Sequence, residues 1–117
     1  MALRIAERHV GPITVLELTG RITLGEESVQ LRNKLETLMR GEPRLVLDMA
    51  NVNYIDSAGL ATLIASFTSP VSQGVRMVLA NLTKRLEAQL SITRLITVFE
   101  AFESVDDAVR SFERSRR

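Results

Sequence analysis

The sequence predicts one α/β domain built on a mixed sheet, and three observations carry that prediction. Short, almost continuously apolar runs at residues 45–49 and 75–80 have the length and composition of strands covered on both faces. Between them Leu60, Leu63, Ile64, Phe67 and Val71 fall at i, i+3, i+4, i+7 and i+11, which is one helical stripe. Strand, helix and strand in that order form a right-handed β-α-β unit with parallel strands. A chain of 117 residues then has room for a single core, so residues 1–117 are read as one domain.

The elements follow in order. Apolar stretches at 3–6 and 13–18 flank His9-Val10-Gly11-Pro12, where glycine and proline favour a turn, so the chain opens on a β-hairpin. Thr23 and Glu26 have the spacing of a capping box, which places a helix start near Gly25. Leu31, Leu35 and Leu38 line one face of that helix until Gly41-Glu42-Pro43 stops it. The run at 45–49 is the central strand, 50–56 its connection, and the Leu60 stripe the second helix, ended early by Pro70. After the strand at 75–80 come a short helix with Leu82, Leu86 and Leu90 and a strand around 97–101. The last helix carries Val105, Ala108, Val109 and Phe112, with Ser104 and Asp107 as its cap. The predicted order is β-β-α-β-α-β-α-β-α: an N-terminal hairpin, then alternating helices and strands, with the helices mainly on one face of the sheet. The basic end, residues 114–117, reads as a solvated terminus.

Composition excludes several functions. Fifteen Lys and Arg against fourteen Asp and Glu leave a net charge of +1, which supplies no footprint for unspecific nucleic-acid or membrane binding. The absence of cysteine removes disulfides, thiolate metal sites and cysteine nucleophiles. No apolar run reaches the roughly 20 residues of a membrane span, and the first residues lack a secretory stretch, so a cytoplasmic protein is expected.

The segment with chemical content is Asn53-Tyr54-Ile55-Asp56-Ser57-Ala58-Gly59-Leu60, because it leaves the carboxyl end of the central strand and opens a helix. Asp56 or Ser57 would cap that helix, and the following amides would lie beside the positive end of its dipole. A phosphate on Ser57 would add about −1.5 to −2 charges there. Ala58 and Gly59 are small enough to let a partner approach closely. On residue types alone the segment could equally be a plain N-cap. Asp48 and Asn51 flank it and read as the end of a strand and part of a turn.

Nearly the whole chain resembles the STAS domain of bacterial anti-sigma factor antagonists. The matching pieces are Leu18-Thr19-Gly20-Arg21-Ile22, Leu45-Val46-Leu47-Asp48, Tyr54-Ile55-Asp56-Ser57-Ala58-Gly59-Leu60, Leu79-Ala80-Asn81-Leu82, Phe99-Glu100-Ala101-Phe102 and Val105-Asp106-Asp107-Ala108. The resemblance implies a phosphorylation-switched binding module rather than an enzyme. The unphosphorylated protein would bind an anti-sigma factor with serine kinase activity and so release a sigma factor. A serine/threonine phosphatase would reverse the mark. Ser57 takes the phosphoacceptor position, and Thr23, Asp56, Ser57, Ala58, Gly59 and Leu60 form the partner-binding surface; no catalytic residue, cofactor or metal is implied. Thr23 stands where many members carry an acid, and Ala58 where many carry a second hydroxyl. The same resemblance admits a scaffold or regulatory subunit of a signalling assembly or membrane transport complex, without phosphorylation.

Rival chemistries lack their residues. A serine-hydrolase elbow needs glycine two positions before and after the serine, and Ile55 occupies the first. The lone histidine, His9, sits in the hairpin, where it reads as a surface residue. One histidine and scattered carboxylates do not make a metal site, and no GxxxxGK[ST] loop is present for a nucleotide.

Overall fold

The computed structural model describes residues 3–41, 44–68, 74–92 and 100–114. β1 (Leu3–Val10) and β2 (Ile13–Ile22) pair antiparallel across a two-residue turn. Gly11 adopts φ 59°, the positive value required at the first loop position of a II′ turn, and the fixed ring of Pro12 suits the second. Both strands run further than the apolar stretches, because Glu7, Arg8, Thr19 and Arg21 occupy solvent-facing positions that a purely apolar reading leaves out.

α1 (Glu26–Met39) starts at Gly25, φ 105°, with no side-chain cap. The capping box expected of Thr23 and Glu26 is therefore not formed. The helix begins at Glu26 itself, so Gly25 is the N-cap and Thr23 lies two residues before it. Thr23 Oγ1 instead donates to Glu27 at 3.3 Å, and Ser28 Oγ donates to the Thr23 carbonyl at 2.6 Å. Glu26 and Glu27 still favour the positive end of the helix dipole. At the other end Gly41 N–H bonds the Leu38 carbonyl; Glu42 and Pro43 lie outside the described residues.

β3 (Arg44–Ile55) is the largest departure from expectation, since 50–55 is strand rather than connection. Its first half pairs with β2 and β4 (Arg76–Ala80), but its second half pairs with β2 alone, through two register shifts. Exposed Asn51 and Asn53 give that half a turn-like composition although the backbone ladder continues. α2 (Ser57–Thr68) buries Leu60 and Leu63 and half-buries Ile64 and Phe67, as the stripe requires; Pro70 and Val71 lie outside the described residues. α3 (Lys84–Ile92) is capped by Thr83, whose Oγ1 accepts the Leu86 N–H at 3.2 Å. The expected strand at 97–101 is seen as β5 (Ala101–Phe102), with 97–99 outside the described residues. Ser104 caps α4 (Val105–Arg114) by accepting the Asp107 N–H at 3.0 Å, as the sequence predicted.

The five strands lie in the order β1-β2-β3-β4-β5, parallel except for the hairpin, which makes the sheet mixed. Alternation along the strands divides the core. Leu16, Leu18, Leu45, Leu47, Met77 and Leu79 face α1, α2 and α3, while Ile13, Val15, Val46 and Val78 face α4. Each fully buried leucine contributes about 1.5–3 kcal/mol of hydrophobic stabilisation, so this alternation fixes the strand register strongly. A one-residue slip would turn these side chains to the wrong layer. β2 and β3 run in parallel to a last pair, Ile22 with Ile55, so the segments that follow both leave from one end of the sheet.

Candidate functional site

At that end, Asp56 joins the two segments. Its N–H donates to the Ile22 carbonyl at 3.2 Å, and its own carbonyl accepts the first helical bond of α2, from Leu60 N–H at 2.9 Å. The carboxylate divides its oxygens: Oδ1 accepts the Gly59 N–H at 2.7 Å and caps α2, while Oδ2 accepts the Leu24 N–H at 3.0 Å from the β2–α1 loop. The Gly59 bond first, and the Leu24 bond behind it, hold the carboxyl below the usual aspartate range against the opposing effect of partial burial. Asp56 is thus ionised at neutral pH and acts as a clamp between loops.

Ser57 is the first residue of α2 and exposed, and its hydroxyl has no hydrogen-bond partner among the described residues. Ala58 beside it is half-buried. Gly59 is buried where no other residue fits: a Cβ built there would come within 2.8 Å of the Ile22 carbonyl carbon and closer still to its oxygen. Leu60, only 5% exposed, belongs to the core. Thr23 is half-buried and has both hydroxyl and carbonyl engaged inside its loop. Of the six residues singled out from the sequence, Ser57 is the exposed one. Gly59 and Leu60 shape the surface from beneath.

The helix-start amides are arranged differently from expectation. The Gly59 and Leu60 N–H groups, and that of Leu24, already bond to Asp56. A phosphate on Ser57 would therefore stand beside an ionised carboxylate that holds the Gly59 and Leu24 donors, and would project toward solvent as added negative charge.

Sequence reasoning missed the apolar part of this surface. Among the described residues the exposed large hydrophobic side chains are Leu24 (76%), Val29 (47%) and Tyr54 (40%). Leu24 is the residue whose amide Asp56 holds and Val29 lies on α1, so these two belong to the Ser57 side, whereas Tyr54 lies opposite Arg21 on the other face of the sheet. The available signal was that Val29 falls off the Leu31-Leu35-Leu38 stripe; Leu24 continues the even-numbered alternation of Leu16, Leu18 and Ile22, so its exposure had no signal in the sequence.

The remaining candidates have structural partners. Asp48 Oδ1 accepts from Ala50 N–H and from Asn81 Nδ2, and Asn81 adopts φ 60° to reach it. Asn51 is exposed on β3. His9 is exposed on β1, 3.1 Å from Glu7 and 3.3 Å from Thr14. It pairs across from Thr14, eight residues of strand before Ile22, about 25 Å from the Asp56 end. Ser57 and His9 are not brought together. No three metal-ligating side chains converge among the described residues, and none of the described helices is long and apolar enough to cross a membrane.

Comparison with known proteins places this arrangement. The STAS domain family matches residues 4–108. A candidate anti-sigma factor antagonist of Thermotoga maritima superposes with a TM-score of 0.76 at 20% identity, covering 97% of this chain and 95% of its own. The Bacillus cell fate determinant SpoIIAA in its phosphorylated form gives 0.70 at 15% identity, over 93% and 99%. The murine anion transporter Slc26a9 gives 0.76 at 18% identity, over 92% of this chain but 18% of the transporter. At these identities the likeness is one of fold.

Proposed function

Since this chain belongs to the STAS domain family, we propose that it is an anti-sigma factor antagonist whose partner binding is switched at Ser57. The observation that carries the reading is the geometry of Ser57: an unengaged, exposed hydroxyl on the first turn of a helix, fixed by the Asp56 clamp. Exposed Leu24 and Val29 in the flanking segment supply apolar area that a protein partner buries. In the unphosphorylated state this surface binds an anti-sigma factor with serine kinase activity, and a sigma factor is released. Transfer of the γ-phosphoryl group of ATP, bound by the partner kinase, to Ser57 Oγ breaks the bond to the leaving ADP, releases the hydroxyl proton, and sets a hydrated dianion against that apolar surface and beside ionised Asp56. Burying it against a partner then costs more than the contact returns, and the complex dissociates. A serine/threonine phosphatase resets the chain. In this cycle the protein is substrate and binder, acting in the cytoplasm, and needs no cofactor of its own.

Fold likeness to the murine anion transporter favours a second reading, in which the same surface is a constitutive contact of a larger assembly. Tandem mass spectrometry of the chain isolated from its source cells separates the two. A phosphate on Ser57, absent from the Ser57→Ala variant, supports the switch. An unmodified Ser57, or a phosphate carried elsewhere and retained in Ser57→Ala, overturns it.

A further inference from the structure

The second face of the sheet is only half covered. α4 packs chiefly on β3, β4 and β5 and also covers Val10, Ile13 and Val15 at the hairpin end, leaving the same face open along residues 4–8 of β1 and beyond Val15 on β2. The alternation places Arg4, Ala6 and Arg8 of β1 there, with Glu17, Thr19 and Arg21 of β2, and the register carries the surface on to Asn51 and Tyr54 of β3. Arg8 pairs with Glu17 at 3.0 Å, and Asp48 is held by Asn81. Arg4 and Arg21 are left as exposed guanidinium groups with no carboxylate within ion-pair distance among the described residues.

Their spacing is specific. Arg4 lies opposite Thr19, so Arg21 is its diagonal neighbour on the adjacent strand, about 7–8 Å away. Successive same-side residues of an extended peptide are about 6.7 Å apart. Tyr54 lies opposite Arg21 on β3 and adds an exposed ring to the platform. We propose that this open face docks an extended acidic segment of a partner protein, with carboxylates at i and i+2 on Arg4 and Arg21 and its intervening backbone over Thr19. Single-stranded RNA is a poorer fit. The face offers one aromatic ring and carries two carboxylates of its own, whereas RNA grooves are continuously basic and stack successive bases.

The test is an amide NMR titration at low salt with a capped pentapeptide, Gly-Glu-Val-Glu-Gly. Its controls are Gly-Glu-Glu-Val-Gly and a uridine decamer. The expected result is shifts confined to Arg4, Thr19, Arg21 and Tyr54, with affinity about threefold lower in Arg4→Gln or Arg21→Gln and largely kept in Arg21→Lys. Both positions are exposed, and the unperturbed part of each variant's spectrum verifies its fold. Equal affinity for the two peptides, tighter binding of the decamer, or shifts elsewhere on the molecule would overturn the assignment. Ser57→Asp leaves the titration unchanged, which separates this face from the Ser57 surface.

Discussion

Asp56 is the residue on which the local structure of the site depends, because its two oxygens serve two loops at once. Asp56→Ala removes the α2 cap and frees the Leu24 amide, so a loss of about 1–2 kcal/mol is expected in chemical denaturation, with faster hydrogen exchange at Leu24. An unaltered Leu24 exchange rate would show that the clamp does not hold the loop in solution. Gly59→Ala drives a methyl group into the Ile22 carbonyl, and the strand end must move to admit it. The expected cost is about 1–3 kcal/mol, read as a thermal midpoint several degrees lower. These two roles were legible to different degrees. A cap at Asp56 or Ser57 could be read from the residue types, whereas the bond from Leu24, 32 residues from Asp56, depends on two strands ending side by side. The same holds for Gly59, whose neighbour Ile22 becomes visible only in the fold.

At the scale of elements, the sequence was clearest where one element buries one stripe. The Leu31-Leu35-Leu38 face of α1, the Leu60-Leu63 face of α2 and the Ser104 cap of α4 all stand as their spacing predicts. The second half of β3 was illegible because it has a partner on one side only, and Asn51, Asn53 and Tyr54 need not be apolar. This asymmetry predicts a gradient in native-state hydrogen exchange. Amides at 45–48, between β2 and β4, should exchange only with global unfolding, and those at 52–55 through easier local opening. Uniform protection along β3 would mean that its two halves are one cooperative unit. The capping box failed for a related reason: Thr23 and Glu26 have the correct spacing, but the loop tied to Asp56 delays the helix start to Glu26.

For the whole molecule, acid stability follows from three carboxylates held below their ordinary range. Glu7 is lowered chiefly by its hydrogen bond from Lys34, Asp56 by the Gly59 amide and Glu100 by the two-pronged contact from Arg76. Each is more acidic folded than unfolded, so its contribution is complete above the usual carboxylate range and is lost as pH falls through the lowered folded value. Stability should therefore be flat near neutrality and decline below about pH 4–5. Thermal midpoints across that range check this, and Glu100→Gln should make the decline shallower. The order of elements, the mixed sheet and the position of Ser57 could be read from the sequence, since each rests on local pattern. The apolar rim of Leu24 and Val29 could not, because exposure is a property of the assembled surface. That rim and Ser57 together form the proposed switch, and affinity capture from source-cell lysate with wild-type, Ser57→Ala and Ser57→Asp baits tests it most directly. An ATP-binding protein kinase retained by wild type and Ser57→Ala but lost from Ser57→Asp is the predicted result; the same proteins retained equally by all three would contradict it.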